Sequence, residues 1–342
     1  MTANQIAACT TILAGLVLSV AGVYYFQKRK KKDIVPCTWE EVGKITHLNL
    51  YPLKSGHRLE LQRAECTEFG LKQTKEDEET LQMRDRGLVV YSEKDHEFRS
   101  GRTYPKMTLI DVSVHDENHL AIDAPTMRTL YVEIPTKNGQ NQTKIKLHKN
   151  EEIPTIDCGN EAALWLSRYI LGKDTGLRLG YHDASSRRDI TKTHNIALDF
   201  YKDLSNSSTG LYADLASTNL INLASITDLS AKLNNCTITV NNFRPNFVVD
   251  GPNLKPYEEH DWHWVKIGDV ILKNVKDCTR CIFTTVDPES GIRNANMEPF
   301  KTLGKYRLSD GPDNLPVMGI NLEVIKQGLI FLGDKVSVAR RK

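Results

Sequence analysis

The sequence predicts a mixed α+β fold that is predominantly β and lies behind an N-terminal transmembrane helix. From Val42 onward, short runs of alternating apolar residues are separated by turn residues, which is the pattern of barrels and sandwiches. Helical patterns are few and short. The 342 residues are enough for two ordinary globular units or for one composite unit with a sizeable core.

Charge and cysteine content exclude two classes of protein. The 45 lysine and arginine residues nearly balance the 43 aspartate and glutamate residues, so the chain lacks the overall positive field of nucleic-acid-binding proteins. The 7 cysteines, an odd number spread over a long chain, do not form the pattern of a secreted disulfide framework. We therefore expect reduced thiols and a protein that faces the cytosol.

Residues 1–33 are predicted to be a short tail, a membrane anchor and a basic flank. Ala7–Phe26 carries no charge, and about 20 helical residues span the roughly 30 Å of a bilayer core. The basic run Lys28–Lys32 follows at once, which leaves the large domain in the cytosol and does not resemble a signal-peptide cleavage site. We predict the outer mitochondrial membrane, with the endoplasmic reticulum membrane as the alternative.

Residues 42–180 are predicted to be a β-rich domain that ends in a helix. Asn160 is expected to cap this helix, with Leu164, Trp165 and Tyr169 on its apolar stripe. A polar loop over residues 181–194 indicates a boundary. The predicted strands are KITHLNLYPL, RGLVVYS, KMTLIDVSV, TLYVEIP and TKIKLHK.

A second domain is predicted over residues 190–340. Its helix, ASITDLSAKL, has Ser225 and Asp228 at the spacing of a capping box. The predicted strands are FRPNFVVDG, VKIGDVILKNV, CIFTTV and GLIFLGDKVSV.

The cysteine pair in DCTRCIFTTVDP is open to four interpretations. Cys278 and Cys281 could bind structural zinc together with His260 and His263. They could form a redox pair, although the β-branched residues that follow favour a strand over the helix that such a pair requires. They could be small buried residues without chemistry. Lastly, one thiolate could react or bind a metal beside Arg280, whose charge favours the deprotonated sulfur.

Cationic groups that could bind an anionic cofactor lie elsewhere in the chain. Lys54 and Ser55 close an apolar strand in YPLKSG and could hold a phosphate. Arg84 and Arg86 share one face if MRDRG is extended. Arg244 precedes a proline in NNFRPN, which favours an extended conformation. Taken singly, each is more typical of an ordinary turn or salt bridge; their combination favours a cofactor site.

These groups belong to a series of short motifs that resembles the MOSC-domain proteins, and among them the mitochondrial amidoxime-reducing components. The motifs follow the family's order from Val42 to the C-terminus: YPLKS, AECTEFGL, RDR, DCG, NFRPN, IGDVIL, CIFTTVDP and GLIFLGDKV. The resemblance implies a β-rich MOSC N-terminal domain and a MOSC β-barrel domain that hold a molybdenum cofactor, Mo-molybdopterin, between them. It also implies an anchor in the outer mitochondrial membrane.

The resemblance assigns roles to residues of this chain. Cys281 is expected to be the catalytic residue and the molybdenum ligand, with Thr279 and Arg280 contacting the cofactor from the same loop and Cys278 secondary. Further cofactor contacts are expected from Lys54, Ser55, Arg86, Asp214, Arg244, Asn246 and Asn321.

Two departures from the family's pattern affect the rim of the predicted site. Where the family has an Asp-Thr-Ser-Pro loop, this chain keeps Asp214 but has Leu215 and Ala216. Asn321 stands where the family has a tyrosine. The departures concern substrate preference and leave the metal ligand and the phosphate-binding residues intact.

The activity that the resemblance implies is two-electron reduction of N-hydroxylated compounds such as amidoximes and hydroxylamines, or of nitrite. The chain has no G-x-G-x-x-G fingerprint for NADH. Electrons are therefore expected from outside the chain, and the resemblance implies a cytochrome b5-type haem protein and its NADH-dependent flavin reductase as the donors. One alternative is a sulfur-carrier MOSC module, in which Cys281 holds a persulfide received from a pyridoxal-phosphate-dependent desulfurase. Another is a membrane-tethered structural protein.

Overall fold

The computed structural model describes residues 34–74, 81–135, 141–234 and 236–341. The predicted anchor at residues 7–26 lies outside these ranges. Within them, no helix is both long enough and apolar enough to cross a membrane. Residues 39–342 form one compact unit. The domain boundaries placed at residues 180 and 190 stay a prediction.

The prediction of a predominantly β fold is confirmed. The strands are β1 (Glu40–Leu50), β2 (Leu59–Glu60), β3 (Arg63–Thr67), β4 (Gly70–Gln73), β5 (Leu88–Ser92), β6 (Asp111–Val114), β7 (His119–Asp123), β8 (Leu130–Glu133), β9 (Gln142–Lys146), β10 (Glu152–Asp157), β11 (Leu177–Tyr181), β12 (Thr218–Asn222), β13 (Phe247–Asp250), β14 (Trp262–Ile267), β15 (Val270–Thr279), β16 (Val317–Lys326), β17 (Gly328–Phe331) and β18 (Lys335–Arg340). The α-helices are α1 (Asn160–Leu171), α2 (Asn195–Phe200), α3 (Leu223–Ala231) and α4 (Phe300–Leu303).

Seven of these strands close into a barrel, in the order β1, β18, β14, β15, β16, β12 and β13, with β13 pairing back to β1. Neighbours are antiparallel except β12 and β13, which are parallel. Closure leaves these strands without an unpaired edge. Although β1 comes early in the chain, it completes a barrel whose other strands all follow residue 217. The barrel core contains Ile45, Leu48, Leu220, Phe247, Val265, Leu272, Ile320 and Val336.

Three smaller sheets surround the barrel: β5-β11-β10-β9, β17-β3-β4 and β6-β7-β8. Helix α1 packs on β11 and β8, and its Trp165, Leu166 and Tyr169 belong to the same buried apolar cluster as the barrel residues. One continuous core therefore supports both halves of the chain.

Both predicted helix caps are wrong. Helix α1 begins at Asn160 after Gly159, whose N–H donates to Asp157 Oδ1 at 2.9 Å. In α3 the cap is Asn222, whose side chain accepts from the Ala224 N–H at 3.0 Å. The Ser225 hydroxyl instead donates to the Glu259 carboxylate. In α3 a side chain outside the predicted motif accepts a free N–H of the first turn, whereas in α1 no side chain does so.

Two predicted extended segments are turns. The CIFTTV segment forms a 3-10 helix over Ile282–Thr285, where the Thr284 hydroxyl donates to the Cys281 carbonyl at 3.0 Å. Such local bonds compete with strand formation. Arg244 has φ +53° and lies in the left-handed region. The following proline disfavours the right-handed helical conformation for Arg244, and Arg244 adopts the left-handed conformation instead of the expected extended one.

Candidate functional site

A cavity of about 460 Å³ is lined by every side chain that the sequence analysis assigned to the site. These residues are Lys54, Ser55, Arg86, Asp214, Arg244, Asn246, Thr279, Arg280, Cys281 and Asn321. Arg84 is not among the lining residues. Arg86 has φ +47°, so MRDRG turns at this residue and the two arginines do not share a face.

The backbone at the cavity is held in an unusual conformation at three positions. Ser55, Arg86 and Arg244 have φ values of +69°, +47° and +53°. For residues with a side chain this region costs about 1–2 kcal/mol each, and such strain concentrates at ligand-binding sites. Buried hydrogen bonds hold the turns in place; the Arg86 N–H donates to the Tyr51 carbonyl at 2.7 Å.

Two guanidinium groups lie against one buried aromatic ring. The Arg86 and Arg244 guanidinium carbons are 4.4 and 4.2 Å from the Tyr51 ring centroid. Asp85 forms an ion pair with Arg86, whereas Nη1 of Arg244 donates to the Gly56 carbonyl at 2.7 Å. Within the described residues, Arg244 Nη2 is buried and has no hydrogen-bond partner. The site thus holds a desolvated cation with a free donor, which is what an anionic ligand requires.

Burial, together with the positive charge of Arg86, lowers the pKa of Arg244 to about 10. The lowered pKa means that the folded protein stabilises the Arg244 charge less well than water does. An anion placed beside the guanidinium would restore its usual pKa and would be bound tightly in return.

Asn246 contributes to the site by positioning Arg86. Its Nδ2 donates to the Asn49 carbonyl at 3.1 Å and to Asp85 Oδ1 at 3.0 Å. Its Oδ1 accepts from Arg86 Nη1 at 3.3 Å and from the Asn219 N–H at 3.2 Å. Both amide donors and the acceptor oxygen are engaged within the protein, so the expected contact with a cofactor is not supported.

Lys54 and Asp214 form an ion pair inside the cavity. The Lys54 ammonium also donates to the Tyr212 carbonyl at 2.8 Å, and His148 Nε2 lies 3.2 Å from Asp214 Oδ1. Desolvation opposes ionisation of Asp214, but Lys54 and His148 outweigh it and hold the pKa of this carboxyl well below its usual range. An anionic ligand at Lys54 would therefore have to share that ammonium with Asp214.

Cys281 follows β15 and precedes the 3-10 helix at Ile282–Thr285. Burial and the charge of Asp214 raise the pKa of its thiol, and the Phe283 N–H, Arg102 and Arg280 offset only part of this effect. Arg280 favours the thiolate as expected, but burial outweighs the effect of Arg280. Its Nε donates to the Met318 carbonyl at 2.8 Å and its Nη1 to the Phe243 carbonyl at 2.7 Å, so it ties the cavity walls together.

The zinc interpretation is wrong. No group of three or more His, Cys, Asp or Glu side chains is placed to hold a metal ion anywhere in the described ranges. His260 Nδ1 lies 3.0 Å from Asp277 Oδ1, and His263 Nε2 lies 3.6 Å from Asp203 Oδ2. Cys278 and Cys281 are both free thiols, and neither begins an α-helix as a thioredoxin-like pair would.

Sequence reasoning missed several lining residues, of which Lys276 is the most buried with a charged side chain. It lies two residues before Cys278 on β15 and pairs across the sheet with Asn321 of β16. The alternation of side chains along a strand could have placed Lys276 and Cys278 on one face. The other missed lining residues with polar side chains include Arg102, His148, Lys149, His194 and Asp313.

Comparisons with known proteins agree with this architecture. Two family models match the chain: the MOSC N-terminal beta barrel domain over residues 42–173 and the MOSC domain over residues 209–337. The chain is 31% identical over 327 residues to mitochondrial amidoxime-reducing component 1 of Danio rerio, covering 94% of this chain and 92% of the relative. It is 30% identical over 331 residues to mitochondrial amidoxime reducing component 2 of Rattus norvegicus, covering 95% and 90%. With motifs, domains and full-length similarity in agreement, the chain belongs to the MOSC-domain family of mitochondrial amidoxime-reducing components.

Proposed function

We propose that this protein is a molybdenum-dependent reductase of N-hydroxylated compounds such as amidoximes and hydroxylamines. The names of its relatives indicate this chemistry. The observation that carries the proposal is the uncompensated Arg244 guanidinium, which lines the same cavity as the Cys281 thiol. An anion-binding group and a soft sulfur ligand are the two things that a metal-bearing anionic cofactor needs.

The lining residues fit molybdopterin, which has a phosphate at one end and a dithiolene that binds molybdenum at the other. Lys54, Ser55, Arg86 and Arg244 would hold the phosphate and pterin end. Arg244 lines the cavity, and its buried Nη2 has no hydrogen-bond partner among the described residues, so this donor is left for a ligand. Cys281 would supply a sulfur ligand, and the bound cofactor would supply the electron-transfer chemistry.

The protein itself would bind and orient the cofactor, and its Cys281 thiol would release a proton. Because a metal binds the thiolate and not the thiol, loading must remove the proton from Cys281. The raised pKa of this thiol means that loading is favoured at higher pH. The Arg280 bonds to the Met318 and Phe243 carbonyls keep the backbone around Cys281 fixed while this happens.

We also propose a place and an electron source. The relatives are named as mitochondrial proteins, and a predicted anchor over residues 7–26 would place the catalytic domain on the cytosolic side of the outer membrane. A cytochrome b5-type donor and its NADH-dependent flavin reductase would supply electrons. If donor and acceptor share one membrane surface, their effective concentration rises.

The test is to load the full chain with cofactor and to measure molybdenum per chain, pterin fluorescence and benzamidoxime reduction. We expect about one molybdenum per chain. Cys281→Ser should abolish reduction, and Arg244→Met should lower cofactor content. Cys66→Ser, a buried cysteine outside the cavity, is the matched control and should retain both.

Three results would contradict the proposal. If the Cys281→Ser variant still reduces benzamidoxime, Cys281 is not the metal ligand. If Arg244→Met contains as much cofactor as the wild type, Arg244 does not bind the anionic end of the cofactor. A metal-free wild-type protein that accepts sulfur on Cys281 from a pyridoxal-phosphate-dependent desulfurase would establish the sulfur-carrier alternative.

A further inference from the structure

The cavity contains a buried cation, Lys276, that the proposed cofactor site does not use. Its side chain is only 4% exposed. Lys276 lies on β15 three residues before Thr279 and pairs with Asn321 on β16, and all three residues line the cavity with Cys281. A lysine is rarely this buried without a charged partner or a function.

Packing fixes the Lys276 ammonium in place. It donates to Thr279 Oγ1 at 3.0 Å and lies 4.9 Å from the centroid of the Tyr201 ring. The Tyr201 hydroxyl in turn lies 3.2 Å from Ser309 Oγ, which joins the end of α2 to the loop before β16. The ammonium is therefore a preorganised part of the wall, which suits it for recognition better than a mobile surface lysine.

The charge of Lys276 is only loosely compensated. Its nearest carboxylate oxygen, Asp313 Oδ2, is 3.4 Å away, and the Asp313 side chain is 38% exposed. By contrast, Lys273 on the same strand lies 2.6 Å from Asp203. An ammonium has three N–H donors, and within the described residues Thr279 and Asp313 account for two of those on Lys276. One donor remains for a ligand.

One side of the cavity wall near Lys276 is apolar. Ala197, Leu215, Ala216 and Leu315 line the cavity. The first three of these pack in one cluster with Tyr201, the ring beneath Lys276, and with Val275, its neighbour on β15. Apolar neighbours lower the local dielectric constant, so attraction between the buried ammonium and an anion is stronger there than at the surface.

We propose that Lys276 makes this protein selective for N-hydroxylated substrates that carry a carboxylate on a compact apolar body. The inference deepens the proposed reductase function and rests on it. The Lys276 ammonium binds the carboxylate, the wall of Leu215, Ala216 and Leu315 contacts the apolar body, and the N-hydroxyl group is left to face the Cys281 end of the cavity.

The test compares two substrates that differ only in the carboxylate, 4-carboxybenzamidoxime and benzamidoxime. The readout is the ratio of their kcat/KM values, with the charged compound in the numerator. Lys276→Met should lower this ratio about tenfold or more, and Lys276→Arg should retain most of it. Asp313→Asn should raise it, because a competing carboxylate is removed. Lys273→Met changes an equally buried lysine that does not line the cavity, and should leave the ratio unchanged.

A binding measurement separates this inference from the proposed function. Benzoate binding to the purified full chain is measured by calorimetry for the wild type, Lys276→Met and Lys273→Met. Weaker binding in Lys276→Met alone supports the inference, even if neither amidoxime is reduced and the reductase proposal fails. Equal binding in all three proteins, or an unchanged substrate ratio in Lys276→Met, overturns the inference while benzamidoxime turnover by the wild type still supports the reductase.

Discussion

Arg188 and Glu151 form a buried, two-pronged ion pair, with Nε to Oε1 at 2.8 Å and Nη2 to Oε2 at 2.6 Å. The two side chains are 1% and 3% exposed. Arg188 also donates to the carbonyls of Ala213 and Asp214. The pair therefore fixes the backbone that presents the Asp214 carboxylate to Lys54 in the cavity.

Replacing Arg188 with methionine should destabilise the protein by about 3–5 kcal/mol, because Glu151 is left as an unpaired buried charge. The free energy of unfolding in urea measures this effect. The double variant Arg188→Met with Glu151→Met should recover part of the loss. Arg168→Met breaks an exposed pair with Asp174 and serves as the control, for which we expect little change. A similar loss in both single variants would contradict the importance of burial.

At Gly319 two strands of the barrel approach each other closely, and an alanine substitution tests this approach. Gly319 has φ +73°, and a Cβ atom there would lie 2.4 Å from the Leu220 carbonyl oxygen on β12. Gly333 has φ +90° but no heavy atom within 4 Å of such a Cβ. Both alanine variants should lose roughly 1–2 kcal/mol to the strained backbone, and Gly319→Ala should lose about 1–3 kcal/mol more. Equal unfolding free energies for the two variants would contradict the predicted collision.

Residue types at the site could be predicted from motifs because the motifs are local. Cys281, Lys54 and Arg244 all reach the cavity where the sequence analysis expected them to meet. What each group does there depends on partners far away in the chain. Arg280 lowers the pKa of the Cys281 thiol as expected, but its donors also bind the Met318 and Phe243 carbonyls, 38 and 37 residues distant, which the motif did not indicate.

Local signals failed wherever a distant group offered a better hydrogen bond. Ser225 has the spacing of a capping box, but its hydroxyl donates a hydrogen bond to the buried Glu259 carboxylate, 34 residues later. The CIFTTV segment has the residue pattern of a strand, but its threonine hydroxyls donate to nearby carbonyls and the segment forms a 3-10 helix. Overall strand content was predictable because apolar alternation repeats over many residues, whereas a cap depends on one or two bonds.

Alkylation provides a chemical test of Cys281. Because burial raises the pKa of its thiol, reaction with iodoacetamide at pH 8 should be slower than that of N-acetylcysteine. The rate should rise as the pH increases beyond 9. Mass spectrometry of the peptide that contains Cys281 gives the rate, and the exposed Cys37 gives an internal comparison. Cofactor loading should block the reaction at Cys281 and not at Cys37; equal reactivity of Cys281 before and after loading would contradict a sulfur ligand at this position.

His182 predicts how stability depends on pH. It is buried, its Nδ1 accepts the Ala184 N–H at 3.0 Å, and its ring packs edge-on against Tyr212. Burial lowers the pKa of His182 from 6.5 to about 4. A depressed pKa in the folded state means that the unfolded chain binds the proton first, so the contribution of neutral His182 is fully present above pH 6.5 and is lost as the pH falls towards 4.

Between pH 7 and pH 5 this residue alone should reduce the free energy of unfolding by about 2 kcal/mol. Other groups also titrate in this range, so the useful quantity is the difference between the wild type and His182→Asn. An asparagine oxygen can accept the Ala184 N–H without titrating. The stability advantage of the wild type over the variant should therefore shrink by about 2 kcal/mol between pH 7 and pH 5. Parallel stability curves for the two proteins would show that His182 takes up its proton equally well in the folded state.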